Sequence, residues 1–175
     1  LDKKKRLFFT MKKVIGKPLH ELINEKALSA RTDKDLFKLI QIMLKVCDAV
    51  SYAHSKGVLH RDLKPDNIMV GKFGQVYLMD WGIACIKKNI NPAGSFKDIP
   101  ELKKRKNYKA REEFKGNVVG TPCYMSPEQA CGEPDAVDER SDIISLGAVL
   151  YEILTGEFPI PGNSLRDMQK KKKNC

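Results

Sequence analysis

Residues 60–67 read HRDLKPDN, and this octet decides how the whole chain is interpreted. It places a histidine, an arginine, a lysine, two aspartates and an asparagine within eight positions, with Pro65 among them. A loop that only contacts water rarely concentrates so much charge around a proline. The octet therefore indicates a site that holds a charged ligand.

The residues after the octet predict a β-hairpin. Two short apolar runs flank the glycine-containing loop GKFG at 71–74. A loop of that length brings Asn67 near Leu78, with Asp80 close beyond it. Asp62 lies five positions before Asn67. We therefore expect Asp62, Asn67 and Asp80 to converge.

These three side chains and Lys64 have complementary chemical roles. Asn67 and Asp80 offer hard oxygen ligands of the kind that Mg²⁺ accepts together with phosphate oxygens. Asp62 can accept a proton from a hydroxyl, and Lys64 adds a fixed positive charge. Phosphoryl transfer needs this combination, because it depends on positioning and charge neutralisation. The alternative is a solvated polar loop with salt bridges, which would explain each residue taken singly.

Four motifs carry a resemblance to a known family. HRDLKPDN fits the protein-kinase catalytic-loop pattern H-R-D-L-x-x-x-N, and DWG at 80–82 resembles the metal-binding DFG, with Trp81 in place of phenylalanine. GTPCYMSPE at 120–128 resembles the segment that ends in APE, and SDIISLG at 141–147 resembles the start of the large buried helix of the lower lobe. All four occur in the family's order. The chain resembles the bacterial eukaryotic-like (Hanks-type) Ser/Thr protein kinases.

The resemblance implies roles for the site residues. Asp62 corresponds to the base that orients the substrate hydroxyl, and Lys64 to the residue that contacts the transferring phosphate. Thr121 corresponds to the residue that bridges this aspartate and lysine. Asn67 and Asp80 correspond to the magnesium ligands. Lys64 and the Gly-Thr-Pro sequence at 120–122 favour serine or threonine over tyrosine as the acceptor.

The resemblance also implies a nucleotide site. Met11 aligns with the gatekeeper, and Lys12 to Val14 align with the hinge that hydrogen-bonds adenine through its backbone. Met69 matches the residue that packs under adenine. The implied cofactors are ATP and Mg²⁺, and Asn67 and Asp80 would bind the nucleotide through the metal ion.

The resemblance predicts an α+β, protein-kinase-like fold with a mainly helical C-lobe, a short hairpin and most of the N-lobe absent. Residues 1–15 would end the N-lobe and form the hinge, with a strand at 6–11. Residues 16–175 would form a partial C-lobe, in which 83–119 is a long basic activation-loop insert. The chain contains no glycine-rich phosphate loop and no Val-Ala-Ile-Lys strand. We therefore expect residues 1–175 alone to be inactive.

Three helices are expected in the C-lobe. A short helix is predicted at 19–26. A longer one starts at a capping box formed by Thr32 and Asp35 and stops at Gly57. Its predicted apolar stripe consists of Leu36, Ile40, Met43, Cys47, Val50 and His54. A third, at 142–154, is apolar nearly all round and therefore predicted to be buried, with Asp142 as its cap and as a scaffold for the catalytic loop.

Composition limits the other classes of protein. The net charge of +10 is concentrated at the two ends and in residues 97–115, which argues against a nucleic-acid groove. No run is long and apolar enough to predict a membrane span. Five cysteines without a CxxC pair favour reduced thiols and a cytoplasmic location, with a zinc site as the alternative. The expected partners are proteins with Ser/Thr acceptors. The alternatives are a pseudokinase or scaffold, and an anion or nucleic-acid binder that uses the basic insert.

Overall fold

The structure is a computed structural model that describes residues 13–86 and 118–159. The strand predicted at 6–11, the gatekeeper Met11, Lys12 and most of the predicted insert lie outside the described residues. The boundary predicted between residues 15 and 16 stays a prediction.

The described residues form helices and small antiparallel sheets, which confirms the predicted α+β class. The helices are α1 (Leu19–Asn24), α2 (Asp33–Ser55), α3 (Pro127–Ala130) and α4 (Glu139–Thr155). The strands are β1 (Lys17–Pro18), β2 (Val58–Leu59), β3 (Ile68–Val70), β4 (Val76–Leu78) and β5 (Cys85–Ile86). β1, β3 and β4 pair in that order, and β2 pairs with β5.

Helix α2 begins and ends as predicted. The Thr32 hydroxyl accepts a hydrogen bond from the Asp35 N–H, and the Asp35 carboxylate accepts one from the Thr32 N–H at 2.9 Å. The chain leaves the helix through Gly57, whose φ of 73° favours glycine. The buried stripe is displaced from the predicted one, because apolar residues extend around more than one face. It consists of Leu39, Ile42, Met43, Val46, Val50 and Ala53.

The hairpin of β3 and β4 is confirmed, with a correction to its register. Ile68 pairs with Leu78, so the loop has five residues, 71–75, rather than four. The fifth residue is Gln75, whose carbonyl accepts the Gly71 N–H at 2.8 Å and closes the turn. Asn67 therefore lies opposite Met79 rather than Leu78.

Helix α4 starts three residues earlier than predicted. Asp138, not Asp142, is its N-cap, and its carboxylate accepts the Arg140 N–H at 2.8 Å. The prediction that the whole helix is buried was wrong within the described residues, where α4 is buried only on the sides that pack on α2, on α3 and on the turn at Pro122–Tyr124. An all-apolar pattern cannot indicate which face a neighbour covers. The exposed large side chains are Ile143, Ile144, Tyr151 and Leu154.

One hydrophobic core joins α1, α2, β3 and α4. Its best-buried members, each at most 1% exposed, are Leu19, Ile23, Val46, Leu63, Ile68, Val149 and Ile153. Leu63 belongs to the octet, so the charged loop is anchored in the core by its own apolar residue. Within residues 13–86 and 118–159, no helix has the length and apolarity needed to cross a membrane.

Candidate active site

The Asp62 carboxylate is the centre of a hydrogen-bonded group. The Thr121 hydroxyl donates to Asp62 Oδ1 at 2.9 Å. The Asn67 amide donates to Asp62 Oδ2 at 3.1 Å, and Lys64 Nζ lies 3.1 Å from the same oxygen. The Asp62 side chain is 12% exposed, so the carboxylate is held firmly but still reaches solvent.

Thr121 joins the octet to a distant segment. Its hydroxyl accepts a hydrogen bond from Lys64 Nζ at 2.8 Å while it donates to Asp62. A hydroxyl has one hydrogen and two lone pairs, so it can make both bonds at once. The bridge predicted between Thr121, Asp62 and Lys64 is therefore present, although 57 residues separate Thr121 from Lys64.

The Asn67 side chain is oriented by the hydrogen bonds that its amide group donates to Asp62. It is 7% exposed and follows Pro65 in a 3₁₀ turn. Its Nδ2 donates to the Asp62 backbone carbonyl at 2.8 Å as well as to the carboxylate. Because the nitrogen faces Asp62, the side-chain oxygen is directed to the other side and is available as a ligand.

The hairpin brings Asp80 to this group. The Met79 N–H donates to the Asn67 carbonyl at 2.7 Å, which places Asp80 one residue beyond that pairing. Asp80 is exposed and has a φ of 56°, an unusual value for a residue with a side chain. Its Oδ1 accepts the Gly82 N–H at 3.3 Å. A carboxylate has about four lone-pair sites, so most of its acceptor capacity remains.

Asn67 and Asp80 together offer oxygen ligands that match the requirements of Mg²⁺. This ion takes oxygen ligands, commonly one or two from protein side chains, with water and phosphate oxygens completing an octahedron. The Asn67 amide oxygen and the Asp80 carboxylate fit that requirement. Softer metals prefer sulfur or imidazole ligands, so this pair of oxygen donors suits Mg²⁺ better.

His60 connects the octet to the segment after β4 that carries Asp80. It is 1% exposed, and burial lowers the pKa of its ring. Its Nε2 contacts the Met79 carbonyl at 2.9 Å, while Nδ1 accepts the Asp62 N–H at 3.3 Å. A neutral ring with its proton on Nε2 satisfies both contacts.

Trp81 packs beside this histidine. The two ring centroids are 4.5 Å apart at an interplanar angle of 58°. The indole Nε1–H donates to the Leu78 carbonyl at 3.0 Å, a bond that phenylalanine cannot make. The substitution that distinguishes DWG from DFG thus adds a link between this segment and β4.

Asp142 supports the octet from α4. It is 1% exposed. Its Oδ1 accepts the Arg61 N–H at 2.8 Å, and its Oδ2 accepts the His60 N–H at 2.9 Å. The predicted scaffold role agrees with these contacts, whereas the predicted capping role was wrong.

The residues predicted to contact adenine are only partly described. Val14 is half-buried before β1. Met69 is half-buried in β3, where it pairs with Tyr77 of β4. Met11 and Lys12 lie outside the described residues. The roles of all four stay predictions.

Sequence reasoning missed two polar residues that hold this site together. His54, interpreted only as a core histidine, places its Nε2 2.7 Å from Asp142 Oδ2. Gln129 is 4% exposed and donates to the Arg61 carbonyl at 2.7 Å. A polar residue on a buried helical face signals a hydrogen-bond partner, because burial without one is costly. That signal was available for His54, but it does not identify the partner.

The arrangement defines a class of protein. A carboxylate held by a lysine and a threonine, beside an amide and a second carboxylate, is suited to phosphoryl transfer from a metal-bound nucleotide. The family model described as protein kinase domain matches residues 1–175. The chain therefore belongs to the protein kinase domain family.

Bacterial members of this family are similar along most of the chain. The serine/threonine-protein kinase PknD of Protochlamydia amoebophila (strain UWE25) is 38% identical over 171 residues, which cover 93% of this chain and 17% of the relative. PknD of Chlamydia felis (strain Fe/C-56) is 37% identical over 87% of this chain and 16% of its own length. PknD of Chlamydia pneumoniae is 36% identical over 90% of this chain and 17% of its own length. The chain spans about a sixth of the length of these curated relatives.

Proposed function

We propose that the protein carrying this chain is a protein serine/threonine kinase that transfers the γ-phosphoryl group of ATP to hydroxyl groups of other proteins. The observation that carries the proposal is the Asp62 carboxylate, held by Thr121, Lys64 and Asn67 at hydrogen-bond distances. The similarity to relatives named serine/threonine-protein kinases supports the same reaction.

In the proposed reaction Asp62 orients the acceptor hydroxyl and takes its proton. The hydroxyl oxygen forms a bond to the γ-phosphorus as the bond from that phosphorus to the ADP oxygen breaks. Lys64 faces the transferring group with a positive charge. Thr121 keeps the carboxylate and the ammonium group aligned, which reduces the motion needed at the moment of transfer.

The proposed cofactors are ATP and Mg²⁺. Bound Mg²⁺ would neutralise charge on the phosphates, and Asn67 Oδ1 and the Asp80 carboxylate would hold it. Val14 and Met69, together with Met11 and Lys12, are proposed to contact the adenine. The cytoplasm, where ATP and reduced thiols coexist, is the proposed location.

Two substitutions in the complete natural protein test the assignment. Asp62→Asn removes the proton acceptor, and general-base catalysis typically contributes about 10²–10⁴-fold, so transfer should fall by that order. Asp80→Asn should abolish transfer by weakening Mg–ATP binding. Transfer is measured with labelled ATP and a generic basic protein, and affinity for Mg–ATP by titration calorimetry. Asp48→Asn, on the exposed face of α2, is the matched control and should change neither quantity.

The outcomes separate the candidate functions. Loss of transfer in both variants, with Mg–ATP affinity lost only in Asp80→Asn, supports the kinase. Equal loss of affinity in both variants contradicts the division of roles. A wild-type protein that binds Mg–ATP without transferring phosphate would be a pseudokinase. Salt-dependent binding to nucleic acid with no phosphotransfer would favour the alternative of a nucleic-acid-binding protein.

A further inference from the structure

Gln129 of α3 makes two different hydrogen bonds with its buried side-chain amide. Its Nε2 donates to the Arg61 carbonyl at 2.7 Å, and its Oε1 accepts the Ser126 N–H at 3.1 Å. A carbonyl can only accept and a backbone N–H can only donate, so these partners fix the orientation of the amide. The first bond spans 68 positions of sequence and joins α3 to the octet.

The carbonyl that Gln129 holds belongs to a residue with an uncommon backbone. Arg61 has a φ of 72°, a left-handed conformation that a residue with a side chain rarely keeps unless its surroundings hold it there. Its N–H is held by Asp142 at 2.8 Å. The Gln129 amide holds the carbonyl, so the backbone of Arg61 is fixed at both ends.

The Arg61 carbonyl and the Asp62 N–H belong to one planar peptide group. Fixing the oxygen of that group therefore fixes the direction of the Asp62 N–H, which donates to His60 Nδ1 at 3.3 Å. Gly120 also packs against this oxygen, since a Cβ built on Gly120 would lie 3.2 Å from it. The carbonyl is thus enclosed by protein, and Gln129 supplies its hydrogen-bond donor.

We propose that Gln129 is a positioning residue for phosphoryl transfer, which aligns Asp62 by holding the peptide group that precedes it. This inference rests on the proposed kinase function. The bond makes the position of Asp62 depend on the placement of α3, so the segment that supplies Thr121 and the segment that supplies Asp62 are aligned together. Gln129 itself touches neither substrate nor nucleotide in this role.

The competing explanation is that Gln129 only caps α3. Its carbonyl accepts the Ser126 N–H, and its own N–H donates to the Ser126 hydroxyl at 3.4 Å. Ser126→Ala removes the hydroxyl part of this cap and leaves the bond to Arg61 intact. If capping alone mattered, Ser126→Ala would lower the rate as much as a substitution of Gln129.

Gln129→Glu gives a readout that capping would not change. Glutamate has nearly the shape of glutamine and keeps the acceptor for Ser126. When ionised it cannot donate to the Arg61 carbonyl, but when protonated it can. Burial and the nearby carbonyl oxygen favour the protonated form of this carboxyl group and so raise its pKa. The activity of Gln129→Glu relative to wild type should therefore recover as the pH falls.

The experiment compares Gln129→Glu, Gln129→Met and Ser126→Ala in the complete natural protein between pH 5.5 and 8. Gln41→Glu on the exposed face of α2 is the matched control. Misplacement of a reacting group by about 1 Å can cost on the order of 10²-fold. We expect kcat to fall about 10- to 100-fold in both Gln129 variants with little change in the KM for ATP, with recovery at low pH only in the glutamate variant. Ser126→Ala and Gln41→Glu should keep a kcat near that of wild type.

Three results would overturn the proposal. The first is a wild-type kcat in both Gln129 variants, and the second is an equal fall in Ser126→Ala. The third is a loss in Gln129→Glu that does not respond to pH, with the folded fraction checked by circular dichroism. If wild-type protein transfers no phosphate, the proposed function fails instead. Amide hydrogen exchange at residues 60–63 then still tests the positioning, since unchanged exchange in Gln129→Met would refute it.

Discussion

Asp142→Asn should loosen the octet without disturbing the rest of α4. The wild-type carboxylate accepts the N–H groups of His60 and Arg61 at 2.9 and 2.8 Å, and it contacts His54 Nε2 at 2.7 Å. The asparagine has one acceptor oxygen in place of two. It can therefore serve only one of the two backbone donors, and its NH₂ group faces the other.

The magnitude follows from these contacts. A hydrogen bond to a charged group contributes about 1.5–3 kcal/mol, and a buried donor left without a partner costs a similar amount. Asp142 is 1% exposed, so water does not replace the lost acceptor. We expect the octet to become easier to open by about 2–3 kcal/mol, which corresponds to ~30–150-fold faster amide exchange at His60 and Arg61.

The assay is amide hydrogen exchange followed by mass spectrometry on the complete natural protein. Asp138→Asn is the matched control, because asparagine and aspartate are nearly equivalent as N-caps. It should change exchange in the octet little. The reasoning is refuted if Asp142→Asn accelerates exchange at His60 and Arg61 no more than Asp138→Asn does.

Three further outcomes are expected for the site. Trp81→Phe removes the indole donor to the Leu78 carbonyl and should lower the free energy of unfolding by about 0.5–1.5 kcal/mol in urea titrations; no change would show that this bond contributes nothing. His60 has a lowered pKa in the folded protein, so below about pH 6.5 the unfolded chain binds more protons than the folded chain. The free energy of unfolding should therefore decrease as the pH is lowered, by up to ~1.4 kcal/mol per pH unit. His60→Gln keeps a donor and an acceptor but does not titrate, and a pH dependence equal to that of wild type in this variant would contradict the assignment. Thr121→Val removes the bridge to Asp62 and should lower kcat while the affinity for Mg–ATP stays the same, as measured by phosphate transfer and calorimetry; a loss of affinity alone would argue against the bridge.

Much of the site could be predicted from sequence because its members are close along the chain. Asp62, Lys64 and Asn67 lie within one short loop, and a hairpin of nearly fixed length returns Asp80 to it. The helix start at Thr32 was predictable for the same reason, since a capping box involves residues only three positions apart. The four motifs in order then indicated the family.

The errors arose where a pattern permits more than one arrangement. The hairpin register changed by one position, because whether Gln75 belongs to the strand or to the turn depends on backbone geometry. The cap of α4 was assigned to Asp142 rather than Asp138, since both are acids near the helix start. A local signal cannot distinguish a carboxylate that caps its own helix from one that binds a distant loop.

The motifs were sufficient to predict the family, the side chains of the site and the local elements that carry them. How these side chains are held depends on tertiary contacts, because Thr121, Gln129 and Asp142 reach the octet across 57 to 82 positions of sequence. Spacing and periodicity report neighbours within a few turns of helix or along one hairpin. Contacts over longer separations depend on how α3 and α4 pack against the core, and that packing is set by all the buried side chains together.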